Sequence, residues 1–300
     1  MSPFLDPSLP VFPLALVGLI VGFVAGMFGV GGGFLLTPIL LYGFHIAPAV
    51  AVGSSLCQQI GTSLTAFLRY RRQKLGEPKI DLLLLGGSLV GVDAGGRVLR
   101  WLSALAPLHL RSGKTASLAG LIVNGLFTVL LFWIAGFVFA ETRRTDRGAG
   151  PKRVPFLASL QVPPCVSLPS AGVASTSALA LAYLGLVLGF LSGVMGVGGG
   201  VLLLPVLLYG YGLPARTAAG TGILVLFATV SWGTWRAASV GNVSLPLAMA
   251  LLTGSSIGAL LGARTTARLS NRTLRVCFAG LVFATALAVA ANLLRTLLGK

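Results

Sequence analysis

Acidic side chains are nearly missing from this chain: 6 Asp and Glu stand among 300 residues, against 22 Lys and Arg. A site built on paired carboxylates, for acid–base work or for two metals, has almost nothing to draw on. Histidine is scarcer still. His45 and His109 are its only occurrences, both in expected loops, so no imidazole lies within an apolar segment to activate a serine. Cys57, Cys165 and Cys277 are odd in number and unpaired in spacing, which gives neither a disulfide framework nor a zinc site. No metal and no cofactor are expected. Charge of either sign is thin, at 9% of residues, while hydrophobic residues reach 55% and the mean hydropathy is +0.93. A soluble domain carries roughly a quarter charged residues, so composition alone makes this an integral membrane protein. The net charge of +16 sits in short clusters between apolar runs, without the aromatic-studded basic stripe of a nucleic-acid binder. Nucleic acid is therefore not an expected partner, and the clusters read as topology signals. Met1 to Pro10 holds Asp6 but no Lys or Arg, so it lacks the positive start of a cleavable signal peptide and is expected to be retained.

What the chain has in abundance is glycine, 41 residues. Gly29-Val30-Gly31-Gly32-Gly33 returns as Gly196-Val197-Gly198-Gly199-Gly200. From Gly22 to Gly43 against Gly189 to Gly210, at an offset of 167, 15 of 22 positions are identical, Pro38/Pro205 and Tyr42/Tyr209 among them. The chain is an internal duplication. Hydropathy marks apolar segments at about 11–43, 49–68, 80–99, 116–140, 179–211, 217–235, 246–263 and 274–297. The first and fifth, 33 residues each, would extend roughly 50 Å as straight helices, against a hydrocarbon core of about 30 Å. Each glycine costs about 1 kcal/mol against alanine in a helix interior. Four in five positions predict a break, so each segment reads as two shorter helices meeting at the glycines.

Residues 141–177 include Arg143, Arg144, Arg147, Lys152, Arg153 and the prolines Pro151, Pro155, Pro163, Pro164 and Pro169. They read as a basic cytoplasmic linker between a first transmembrane repeat at 1–140 and a second at 178–300. If each broken segment is a re-entrant hairpin, each repeat crosses three times more, the second copy is inverted, and 15 of the 22 Lys and Arg face the cytoplasm. If the broken segments cross fully, the repeats are parallel and the best split is 13 to 9. The positive-inside bias favours inversion. The loop from Arg97 to Lys114 then violates the bias unless Trp101 to Leu110 lies in the interface. The expected fold is an all-α polytopic protein of the inner membrane with two inverted repeats, each a glycine-broken first segment plus three transmembrane helices. The sequence gives no indication of an oligomer.

A broken helix in a bilayer frees backbone groups that hydrocarbon does not tolerate, so the break must face protein or a water-lined chamber. The half-helix after Gly33 or Gly200 aims its first N–H groups and its positive dipole end at the break, which suits an anion. Gly31, Gly32, Gly33, Gly198, Gly199 and Gly200 are accordingly candidate binding residues facing a shared solvated chamber. Close helix packing is the competing reading, and it is preferred for Gly18, Gly22 and Gly26, where Gly22→Ala is expected to be mild. Beside each break a second helix starts with small polar residues, Gly53-Ser54-Ser55 and Gly220-Thr221-Gly222. Their hydroxyls, on Ser54, Ser55 and Thr221, either donate to an oxyanion or bond their own helix. Farther along these helices the copies diverge, with Gln58, Gln59, Thr62 and Ser63 in the first and Trp232 and Trp235 in the second, so the pathway is expected to be asymmetric. Asp93 and Arg97, four apart, share a helix face and can pair. Arg69 and Arg236 match at the repeat offset near helix ends, where they either snorkel or draw an anion toward the mouth. Gln58, Arg69, Asp93, Arg97 and Arg236 are thus pathway or gating candidates.

Gly61-Thr62-Ser63-Leu64 has the form of an intramembrane serine protease motif, but no base within a span accompanies it. The duplicated pattern G-x-x-x-G-x-x-G-V-G-G-G-x-x-x-x-P, followed each time by a small-polar second helix, resembles the TauE/SafE sulfite exporter family of membrane permeases over nearly the whole chain outside the linker. That resemblance implies export or uptake of sulfite and organosulfonates, and it places the site at the glycines and hydroxyls named above. The chain departs from the pattern at Gly220-Thr221-Gly222, where glycine replaces a second hydroxyl, and in its long basic linker. A divalent anion leaving through 100 mV gains roughly 4.6 kcal/mol, so export needs no coupled ion, and Asp93 is the acidic residue clearly within a span. The expected function is an exporter of a small sulfur oxyanion that works by alternating access in the lipid bilayer. An uptake permease or channel for another small anion is the alternative.

Overall fold

The computed structural model describes residues 11–28, 30–72, 77–105, 108–109, 115–146, 163–168, 173–211, 213, 218, 220–266 and 271–298. Gly29, Arg216, Arg111, Lys114 and linker residues 147–162 lie outside the described residues. The first copy gives α1 (Val11–Phe28), α2 (Gly33–Tyr42), α3 (Pro48–Arg72), α4 (Pro78–Ala104) and α5 (Leu118–Asp146). The second gives α6 (Ala178–Met195), α7 (Gly200–Pro205) continued by a π-helical turn at Val206–Gly210, α8 (Ile223–Ala238), α9 (Leu245–Thr266) and α10 (Asn271–Leu298). Helices long and apolar enough to cross a bilayer lie at Pro78–Ala104, Leu118–Phe139, Ala178–Met195, Leu245–Gly262 and Val276–Arg295, with shorter apolar helices at Phe12–Phe28, Gly33–Tyr42 and Ile223–Ala238. The chain is an all-α polytopic membrane protein.

The stretch read as linker is partly built. α5 runs on to Asp146, and a hairpin of β1 and β2 precedes it, Leu108–His109 pairing with Thr115–Ala116. A second hairpin, β3 (Cys165–Leu168) with β4 (Val173–Ser177), leads into α6. There Ser177 caps the helix, its Oγ accepting from Ala180 N at 3.2 Å, the usual device for an otherwise orphaned first-turn amide.

The largest packing feature is a pair of glycine seams. A Cβ at Gly18, Gly22 or Gly26 of α1 would strike the backbone of Leu251, Ser255 or Ala259 on α9. One at Gly254, Gly258 or Gly262 of α9 would strike that of Ala15, Leu19 or Phe23. The same contacts recur at the repeat offset, exchanged between copies: Gly185, Gly189 and Gly193 of α6 against Leu84, Ser88 and Val92 of α4, and Gly87, Gly91 and Gly95 of α4 against Ala182, Leu186 and Phe190. Small residues let backbones touch where apolar driving force is absent. The expectation that Gly22→Ala is mild fails here, because the added methyl meets main chain and not a flexible side chain.

The seams also fix direction. Contact positions rise together along α1 and α9 and along α6 and α4, so each pair is parallel. Gly222, just before α8, and Thr229 and Arg236 within it bond Asp81, Ser88 and Asp93 of α4, so α8 runs with α4. Gly233 of α8 lies at Leu56 of α3, while Phe227 stacks on Phe67 at 6.4 Å, so α3 runs against α8. Ser54 meets Ser244 at the start of α9, and Gln58 meets Ser255 farther along, so α3 runs with α9. Helices α1, α3 and α9 therefore point one way, and α4, α6 and α8 the other.

Candidate functional site at the paired glycine breaks

Both long segments break where the glycines stand: α1 ends at Phe28 and α2 starts at Gly33, while α6 ends at Met195 and α7 starts at Gly200. Gly32 (φ 73°) and Gly199 (φ 77°), which open α2 and α7, are left-handed, a conformation that costs a residue with a Cβ about 1–2 kcal/mol. α1 and α6 approach from opposite sides, and their breaks end against each other. A Cβ at Gly33 would strike the carbonyl oxygen of Gly196, and one at Gly200 would press on the backbone of Val30. Val30 and Val197 are 0% and 1% exposed. Gly31, Gly32, Gly33, Gly198 and Gly199, all buried, thus cluster together, with half-buried Gly200 at their edge.

Gln59, one turn beyond Ser55 on α3, fills the join. Its Nε2 donates to Gly196 O at 2.8 Å and to Ser55 O at 3.1 Å, and its Oε1 stands against the space a Cβ on either Gly31 or Gly198 would need. Ser55 Oγ also donates to Gly196 O, at 3.2 Å. Leu226 stands against the same Gly31 and Gly198, and it is the repeat equivalent of Gln59. In the sequence Gln59 stands out only as a divergence between copies; the signal that singles it out is a polar residue set against leucine at equivalent positions of a self-similar chain.

The candidate hydroxyls separate. Ser55 bonds the second break, at Gly196 O. Ser54 and Thr221 instead hold the residues preceding α9 and α4, their oxygens accepting from Ser244 N and Glu77 N, each at 3.0 Å, and the two contacts are again repeat equivalents. Gln58 turns away from the breaks, donating to Ser255 Oγ at 2.6 Å. Thr62 and Ser63 donate back to Gln59 O at 3.1 and 2.6 Å, the intrahelical bond that membrane hydroxyls favour.

Asp93 pairs with Arg97 at 2.6 Å as spacing predicted, but its other oxygen accepts from Arg236 Nε, also at 2.6 Å. Arg236 is therefore tied to α4. Arg69 lies within α3, and its side chain is outside the described residues. Asp81, also on α4, corrects the expectation that Asp93 is the acidic residue within a span. It is buried, Gly222 N donates to its Oδ1, and Glu77 is buried one turn earlier.

Two small cavities lie among these helices, and the second touches the second break. One of about 30 Å³ is lined by Val52, Gly53, Asp93, Arg100, Gly193 and Arg236 among others. The other, about 10 Å³, touches Ser88, Gly198, Gly199, Gly200, Leu226 and Thr229. Each has room for on the order of one water. Among the described residues the two breaks pack directly on each other, and neither of these cavities is the solvated chamber expected from the sequence.

Comparison with known proteins follows the same lines. The family model described as Sulfite exporter TauE/SafE matches residues 14–289. The chain is 29% identical to the probable membrane transporter protein YjnA of Bacillus subtilis, over 91% of this chain and 97% of that one. It is 28% identical to a probable membrane transporter protein of Haemophilus influenzae, over 88% and 92%. With one from Methanocaldococcus jannaschii it shares 24%, over 90% and 91%. No solved structure matches this chain.

Proposed function

From membership of the sulfite exporter TauE/SafE family, to which this chain belongs, we propose that the protein carries a small sulfur oxyanion, sulfite or an organosulfonate, across the inner membrane by alternating access. The observation that carries the reading is the meeting of two glycine breaks in the buried centre. α2 opens there, and the N–H groups of Gly33 and Phe34, its first two residues, come before the first backbone bonds to Gly32 O and so lack intrahelical acceptors, a setting that favours negative charge. We read the two copies as inverted repeats, 1–140 and 178–300. The opposed directions of α1 and α6, α3 and α8, and α4 and α9 support this, and the site then lies at the repeat interface, as in many secondary transporters. Rocking of α1 with α9 against α4 with α6 is the proposed motion, since each glycine-sealed pair moves most cheaply as a unit. Buried Asp81 and Glu77 supply the carboxylates whose absence argued for uncoupled export, so the export direction is proposed on the family's description alone. Ser63 bonds its own helix, which favours transport over hydrolysis.

Flux in proteoliposomes tests the reading, with sulfite, sulfate, organosulfonates and carboxylates offered with and without an imposed potential. Sulfur oxyanions should move, and Gly32→Leu should stop them while the protein still inserts. Indifference of flux to that substitution would remove the breaks from the pathway.

A further inference from the structure

The carboxamide oxygen of Gln59 is fully buried and, among the described residues, accepts no hydrogen bond. Buried acceptors without partners are uncommon in folded proteins, and each asks for an explanation. Here the amide has no freedom to turn and find one. Nε2 is fixed by Gly196 O and Ser55 O, which leaves Oε1 between Gly31 and Gly198, beside the methyls of Leu226. None of these residues donates to it.

A second orphan lies close by. Thr37 Oγ1, on α2, is also buried and without a partner among the described residues, and it sits against Gly196. Both unpaired groups belong to the first copy. Their repeat equivalents are Leu226 and Leu204, so the second copy contributes only methyls where the first contributes polar atoms.

We propose that Gln59 is the specificity-determining residue of the transporter: its Oε1 accepts a hydrogen bond from the anion, so the site selects small sulfur oxyanions that carry an O–H or N–H of their own over those that carry acceptors alone. The proposal rests on the transport reading above. An acceptor-only anion parting the two breaks would set its lone pairs against Oε1. Hydrogen sulfite, or a sulfur oxyanion bearing an amino group, would point its donor there. The remaining oxygens would take hydrogen bonds from Thr37 and from the first N–H groups of α2. Sites that hold a buried polar atom for a substrate group discriminate strongly against the analogue without that group, because the atom is then left unpaired.

The test is flux of sulfamate and methanesulfonate through the full chain in proteoliposomes, since these two match in charge and shape and differ by NH2 in place of CH3. Wild-type protein should carry sulfamate with a kcat/KM at least about tenfold higher, the equivalent of about 1.4 kcal/mol. Gln59→Leu, which copies Leu226, should bring the ratio close to one while methanesulfonate still moves. Equal rates in the wild type, or a Gln59→Leu protein that keeps the preference, overturn the proposal. Should Gln59→Leu fail to insert, Gln59→Met and the wild-type ratio decide the matter. A wild-type protein that moves no oxyanion at all is a different result: it removes the transport reading and takes the specificity proposal with it.

Discussion

Asp93 and Arg236 hold each other across the boundary between the two copies, with Arg236 Nε donating to Asp93 Oδ1 at 2.6 Å on the wall of the larger cavity. The repeat equivalents of the two are Leu260 and Arg69, so the pair has no counterpart on the other face. Asp93 is 19% and Arg236 32% exposed at the side chain, and a partly exposed ion pair contributes about 0–1 kcal/mol. Asp93→Asn removes this pair and the one with Arg97, and should therefore lower the melting temperature by roughly 4 °C or less. If the pair is a latch on the cavity mouth, the same substitution should change transport rate severalfold. A rate that follows the wild type would show that the pair only joins helices.

The glycine seams predict a sharp contrast. Gly22→Ala and its equivalent Gly189→Ala push a methyl into main chain, and overpacking of that kind costs about 1–3 kcal/mol. Gly86→Ala, also in a helix, meets nothing within 4 Å and should gain up to about 1 kcal/mol from helix propensity. Thermal unfolding in detergent micelles reads both signs. Equal effects at Gly22 and Gly86 would mean that the seams are looser than described.

Gly22 also marks the limit of what the sequence makes legible. The spacing of Gly18, Gly22 and Gly26 was enough to name a packing face, but the severity of substitution depends on which atoms stand opposite. That partner is α9, in the other copy and far along the chain. The breaks themselves were legible because contiguous glycine and excess length are local signals. Gln59 was not, since its importance comes from a fold that brings two distant breaks to one side chain. Ser54 and Thr221 were visible as a recurring pair, and only the fold reveals that each spends its oxygen on a backbone amide.

Those two hydroxyls give a matched pair of experiments. Ser54→Ala and Thr221→Ala each leave a backbone amide without its acceptor, that of Ser244 in one case and Glu77 in the other. Such a loss costs about 1–3 kcal/mol. Thr221→Ser should keep wild-type stability because the oxygen stays. Flux per inserted molecule should be nearly unchanged in all three. A loss of flux in Ser54→Ala with an unaltered melting temperature would return that hydroxyl to the substrate path.

The left-handed glycines separate strain from space. Gly32 and Gly199 both have positive φ, yet a Cβ at Gly32 would stand 2.8 Å from Val21 Cγ1, whereas at Gly199 the nearest atom is Leu188 O at 3.7 Å. Gly199→Ala should cost only the conformational term, about 1–2 kcal/mol. Gly32→Ala should cost more, because Val21 and then α1 must give way. Asn tolerates the left-handed region better than Ala, so Gly199→Asn should recover part of the loss, and Gly32→Asn should not. Melting temperatures of the four variants, with flux measured on the same preparations, check the order. Equal losses at the two positions would mean that the breaks are not held in the conformations described, and that their amides do not point where an anion could use them.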